Sequence, residues 1–201
     1  MSYGDYAAWH RKWIQGPEYA AQLAFWRERL GKPNASGERP QAMPTDKPRR
    51  RGMSGSSKSR QLTLAQGTLE SLHAQSRRID VTVFVTLLTA YFAVLARMAG
   101  QRDMVIGTPV RGRNSSEVEG LMGYFTNLLP LRVELDPSMS FAETARRVRE
   151  VVLDSFAHPD IRLEDLSREL NLKGEGGGML YQALFSFQDI RQRVTRWGPL
   201  A

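Results

Sequence analysis

The chain has 201 residues, 41% hydrophobic and 24% charged, enough to bury a sizeable core in one globular domain. It holds no cysteine, which excludes disulfides, thiolate catalysis and cysteine-ligated metals. The formal net charge of +7 is uneven, because Lys47, Arg49, Arg50, Arg51, Lys58 and Arg60 sit close together, opposed locally only by Asp46.

No apolar run stands beside a basic region at the N-terminus, so no secretory signal is expected. The cysteine-free composition fits the reducing cytoplasm. Tyr3 to Ile14 reads as a short aromatic helix. Pro17 suits the first turn of a second helix, in which Tyr19, Leu23, Trp26 and Leu30 fall on one apolar face. Gly31 and Pro33 end it. Residues 33–59 are rich in Pro, Gly, Ser and basic side chains and are expected to form a flexible surface linker. No aromatic residue is interleaved there to stack on bases, so nucleic acid is not an expected partner.

Arg60 to Leu64 is expected to be a strand. Leu69, Leu72, Ser76 and Ile79 mark an amphipathic helix. The longest apolar run, Val81 to Ala96, is shorter than the roughly 20 residues that span a bilayer. With Thr82, Thr86 and Thr89 at helical spacing, it reads as a buried core helix, and no membrane association is expected. Gly100 is its stop. Asp103 to Val110 reads as a buried strand, Arg111 to Gly120 as a polar loop, and Tyr124 to Leu135 as a second strand. Ser140 and Glu143 have capping-box spacing, ahead of a helical stripe of Phe141, Ala145, Val148, Val152 and Phe156. A short helix carries Leu163, Leu166 and Leu170. Gly174 to Gly178 is a flexible break, Leu180 to Gln188 a last strand, and 191–201 a tail. Helix pairs separated by strands predict an α/β layered sheet with packed helices.

Asn127 is the one polar residue in an apolar stretch, and a buried amide needs hydrogen-bond partners. The three histidines, His10, His73 and His158, are not paired at metal-ligand spacing, so no metal site is expected. His158 ends a helix, where the dipole favours a cation, and Asp160 is placed to cap the next helix. No serine has the nucleophile-elbow context. On residues alone there is no complete catalytic constellation, and no catalytic residue is assigned.

Five segments in order resemble motifs of the condensation domains of non-ribosomal peptide synthetases. Tyr3 to Trp9 is similar to Y-x-D-F-A-x-W, and Met43 to Arg49 to L-P-T-D-x-P-R. Gly107 to Arg113 resembles G-T-P-V-A-G-R, and Met122 to Arg132 resembles I-G-x-F-V-N-T-L-P-L-R. His158 to Glu164 resembles H-Q-D-x-P-F-E, with Arg162 in place of Pro and Leu163 in place of Phe.

The resemblance implies the fold of chloramphenicol-acetyltransferase-like enzymes, in which two subdomains form a V around a tunnel. Carrier proteins docked at its ends deliver substrates on phosphopantetheine arms, and an acceptor amine attacks a donor thioester. The family's H-H-x-x-x-D-G motif lies in the N-terminal subdomain, and its second His positions or deprotonates the amine. Residues 1–190 resemble the C-terminal subdomain, so this chain is expected to be one half of that fold. Gly123, Phe125, Asn127 and Arg132 are the substrate-tunnel candidates that the resemblance implies, and His158 and Asp160 are family-motif candidates. No cofactor is expected to bind directly. The implied partners are carrier proteins with their phosphopantetheine arms, the N-terminal subdomain, adjacent synthetase modules, and further copies of the chain meeting through an exposed junction face. Because a missing general base costs about 10²–10⁴-fold, the chain alone is expected to be inactive. A non-catalytic carrier-binding scaffold and a decayed gene fragment are the alternatives.

Overall fold

A computed structural model describes residues 1–32, 44, 57–113, 115–170 and 180–188. The linker expected over 33–59 falls outside the described residues except at Pro44 and 57–59, and so do the Gly174 to Gly178 break and the 191–201 tail. The order of elements is α1 (Tyr3–Trp13), α2 (Pro17–Gly31), α3 (Gln66–Arg78), α4 (Val83–Ala99), β1 (Asp103–Val110), α5 (Ser116–Glu119), β2 (Asn127–Glu134), α6 (Phe141–Phe156), α7 (Leu163–Glu169) and β3 (Ala183–Leu184). This is the mixed α/β arrangement that the sequence predicts.

The three strands form one sheet in the order β2-β1-β3. β1 and β2 are antiparallel, from Asp103 opposite Glu134 to Val110 opposite Asn127. β3 runs parallel to β1, with Ile106 opposite Ala183. Alternation along β1 divides the core. Met104 and Ile106 join Leu131 and Val133 against α4 and α6, where Leu88, Phe92 and Val148 are fully buried. Val105 turns instead to a second cluster, built by Trp26 and Leu30 of α2, Ile161, and Leu166 and Leu170 at α7. Trp26 is 0% exposed, and its Nε1 donates to the His158 carbonyl at 2.9 Å. The sheet therefore lies between two helical layers.

Local chemistry sets the ends of these elements. Ser140 and Glu143 form the predicted capping box of α6, and Ser2 and Asp5 form another on α1. Gly100 ends α4 in the left-handed conformation, φ 65°, which glycine adopts without strain. Thr86 and Thr89 are buried because each hydroxyl returns to the carbonyl four residues earlier, and Thr86 also bonds Ser76 of α3 at 2.7 Å.

The structure corrects five expectations. Arg60 to Leu64 is not a strand, because Leu62 and Leu64 are 84% and 55% exposed and, among the described residues, no strand pairs with them. β2 starts at Asn127, not Tyr124: the Tyr124 carbonyl accepts from the Tyr3 hydroxyl at 3.0 Å instead of entering the ladder. The loop 111–120 contains the short helix α5. The last strand shrinks to Ala183 and Leu184. The cap of α7 is Arg162, not Asp160.

Candidate functional site

Tyr6, Trp9, His10 and Trp13 share one face of α1, at helical spacings of three and four residues. That face borders a cavity of about 440 Å³. Gly112, Ser115, Glu117 and Val118 form a second wall, Asp160 a third, and Met1 lies at the rim. The rings stack in sequence, Tyr6 on His10 at 5.7 Å and His10 on Trp13 at 5.8 Å between centroids. Burial, helped by the positive charge of Arg162 and opposed by Asp160, holds His10 below the usual histidine range. Burial and the negative charge of Asp160 raise Tyr6.

The second wall is organised by Arg113. Its Nη1 donates to the carbonyls of Val118, Glu119 and Leu121, and its Nη2 to that of Gly123. These carbonyls include the free ends of α5, so the guanidinium supplies donors that the short helix lacks. The same guanidinium lies 4.2 Å from the centre of the Phe125 ring, within cation–π range. Phe125 is buried and meets Tyr3 and Tyr6 of α1. Gly112 has φ 63°, and a Cβ there would stand 1.8 Å from the Phe125 carbonyl oxygen. A Cβ on Gly123 would meet the Tyr3 ring at 2.2 Å. Both glycines thus let α1 and the loop close together.

The remaining candidates have separate places. Asn127 is half-buried, and its Nδ2 donates to the carbonyls of Pro159 and Ile161 at 2.7 and 2.6 Å. It pins the connection that carries Asp160 to the cavity wall. Arg132 lies elsewhere. Its guanidinium forms a two-pronged pair with Asp103, at 2.9 and 2.6 Å, and its Nη1 donates to the carbonyls of Arg29, Leu30 and Lys32 at the end of α2. His158 stacks on Phe25, with centroids 3.8 Å apart and planes 6° apart. Its Nδ1 lies 2.8 Å from the Asp154 carbonyl, which only accepts, so that nitrogen carries the hydrogen. His158 is thus held against Phe25 of α2 and does not line the cavity.

Below the cavity, Asp165 accepts from the Tyr19 hydroxyl at 2.6 Å, from Arg162 Nε at 2.7 Å and from Arg168 at 3.1 Å. Burial alone would raise its pKa, but these donors outweigh it and hold the carboxyl below the usual aspartate range. Among the described residues no three His, Asp or Glu side chains come together to hold a metal. The structure thus brings Gly123, Phe125, Asn127 and Asp160 around or behind one cavity, and leaves Arg132 and His158 out of it. Sequence reasoning missed Trp9, His10, Trp13 and Arg113. The helical spacing of the aromatic residues was the available signal for the first three, and nothing local distinguished Arg113.

Four of the five motif segments therefore meet at this site: the start of α1, the turn after β1, the approach to β2 and the α6–α7 connection. The family model for the condensation domain matches residues 1–196. The chain belongs to the condensation-domain family. It is 38% identical over 197 residues to one of the linear gramicidin synthase proteins of Brevibacillus parabrevis, covering 98% of this chain and 2% of that protein. It is 33% identical to phosphinothricin tripeptide synthetase PhsC of Streptomyces viridochromogenes, covering 95% of this chain and 17% of that one. Among solved structures, the first condensation domain of the calcium-dependent antibiotic synthetase, in complex with substrate analogue 2a, aligns with TM-score 0.70 and 25% identity over 92% of this chain and 40% of that one. The complex of the X-domain and OxyB from teicoplanin biosynthesis aligns with TM-score 0.76 and 26% identity over 87% of this chain and 38% of that one. The condensation-domain chain thus spans a small part of its curated relatives and less than half of these structures.

Proposed function

We propose that this chain is the C-terminal subdomain portion of a condensation domain that joins carrier-bound acyl or peptidyl donors to carrier-bound aminoacyl acceptors. The acceptor amine attacks the donor thioester carbon, an amide forms, the carrier thiol leaves, and the amine gives up a proton. The observation that carries the reading is the convergence of four family motif segments around or behind one cavity, pinned by Asn127 and Arg113. The chain's part is positioning. The H-H-x-x-x-D-G half, on the same or another polypeptide, supplies the base that takes the amine proton, and the phosphopantetheine arms belong to the partner carrier proteins.

This chain's own histidines support that division of labour. His158 is held between Phe25 and the Asp154 carbonyl, and His10 is packed among rings. Neither has a second histidine beside it in the sequence. The test is amide formation by the 201-residue chain with donor and acceptor thioesters on purified carrier proteins. The expected result is product at the uncatalysed background. Product above background from this chain alone would overturn the proposal.

One observation favours a second reading, a non-catalytic scaffold that holds a partner protein. A structural relative, the X-domain, occurs in a complex with OxyB. Titration of the chain with cognate holo carrier proteins tests it, and no measurable association would remove it.

A further inference from the structure

The cavity beside α1 is walled largely by rings. Tyr6, His10 and Trp13 stack in turn, and Trp9 lies along Trp13 with centroids 6.0 Å and planes 24° apart. Offset stacking of this kind leaves ring faces open to a further ring. α1 contains no buried residue, and Trp9 is 55% exposed, so this helix keeps aromatic surface uncovered. Across the cavity Gly112 adds no side chain to fill the space, and Val118 adds apolar surface. The volume, about 440 Å³, falls in the range of small-molecule sites.

We propose that this cavity binds a small, uncharged, planar aromatic molecule of one or two rings, which stacks on Trp9 and Trp13 and faces Val118 on its other side. Burying ring faces against ring faces removes apolar area from water. Ring–ring geometry adds a further gain that a saturated ligand of the same size does not receive.

The charges around the cavity do not select a charged ligand. Met1 brings the terminal ammonium and Glu117 a carboxylate, and both residues are exposed, so water and salt screen them. Asp160 already interacts with other groups of the chain. The titratable rings are neutral at neutral pH, because burial raises the Tyr6 phenol and lowers the His10 imidazole. A cation would meet the Met1 ammonium, and an anion would meet Glu117 and Asp160. A neutral ring meets neither repulsion and gives up little hydration on entry. The inference stands apart from the condensation reading, because it concerns binding and not amide formation.

The test uses the full 201-residue chain at neutral pH and probes built on one frame: benzyl alcohol, its saturated counterpart cyclohexylmethanol, benzylamine and benzoate. Binding is read by calorimetry and by shifts of the His10 ring signals, which a ring stacked beside them must move. Benzyl alcohol is expected to saturate the site and shift those signals. Cyclohexylmethanol is expected to bind about two- to tenfold more weakly, and benzylamine and benzoate each more weakly than the alcohol. Trp9→Leu should lower benzyl alcohol affinity about two- to tenfold, and Trp9→Phe should restore most of it. On the wild-type chain alone, cyclohexylmethanol binding as tightly as benzyl alcohol would overturn the proposal, and so would either charged probe binding more tightly than the alcohol. A benzyl alcohol titration that does not saturate, or saturates without moving the His10 signals, would overturn it too.

Discussion

The amide nitrogen of Asn127 donates to the Ile161 carbonyl at 2.6 Å, and this bond joins the start of β2 to the connection before α7. A second bond from the same nitrogen reaches the Pro159 carbonyl at 2.7 Å. The Asn127 Oδ1 meanwhile accepts from the Leu128 N–H at 2.9 Å. The side chain therefore uses both its donors and its acceptor, and Asp160 sits between the two carbonyls it holds.

Replacing Asn127 by Ala leaves two half-buried carbonyls without these donors. The expected loss of stability is about 2–4 kcal/mol. Asn127→Asp is expected to be at least as damaging at neutral pH, because a carboxylate cannot donate to either carbonyl. Chemical denaturation of the three proteins decides this. An Asp variant as stable as wild type would show that the two bonds do not matter.

Arg132 and Asp103 form a pair whose side chains are 11% and 2% exposed. Removing the guanidinium by Arg132→Leu strands the buried Asp103 charge and should cost about 3–5 kcal/mol. Adding Asp103→Leu should recover part of that loss, because two apolar residues leave no unpaired charge. Arg132→Lys should not rescue the site, since an ammonium cannot reproduce the two-pronged geometry and the α2 carbonyl bonds together. A double variant that loses the sum of both single effects would contradict the pairing.

Gly100 and Gly112 both have positive φ, 65° and 63°, and they separate backbone strain from collision. A Cβ on Gly100 meets nothing within 4 Å, so Gly100→Ala should cost only the left-handed penalty of about 1–2 kcal/mol. A Cβ on Gly112 meets the Phe125 backbone at 1.8 Å, so Gly112→Ala should cost clearly more. Thermal unfolding compares them, and equal losses would show that the loop yields freely.

Asp165 gives a pH signature. Its folded pKa lies below its ordinary value of 3.8 despite burial, which opposes the lowering, because of Tyr19 and Arg162. A depressed carboxylate contributes stability above the unfolded pKa and loses it as pH falls through the folded pKa. Asp165→Asn should therefore destabilise the chain at pH 7, and the gap from wild type should close as pH drops below 3.8. A gap independent of pH would assign the effect of Asp165 to shape and not to charge.

Much of this fold was legible because its signals are local. The capping box of Ser140 and Glu143 marks the start of α6, with Ser140 as the N-cap and Phe141 the first helical residue, and the apolar run of β1 matches Asp103–Val110. Arg60 to Leu64 had strand composition, yet strand formation depends on a neighbour, and none pairs with it among the described residues. Asn127 announced itself as a polar residue needing partners, but those partners lie 32 and 34 residues away. The cavity was hidden for the same reason, since it joins Tyr6 to Glu117 and Asp160. Arg132 resembled a tunnel residue by motif alone; its role beside Asp103 depends on the antiparallel register.

The most direct test of the central claim is complementation. The chain is mixed with a purified H-H-x-x-x-D-G half of a related condensation domain and with donor and acceptor carrier proteins, and amide product is followed by mass. The account predicts product from the mixture that neither half yields alone, and its loss when the second histidine of that motif is replaced by Ala. Assembly of the two halves without any product, or product from the mixture that survives that replacement, would contradict it.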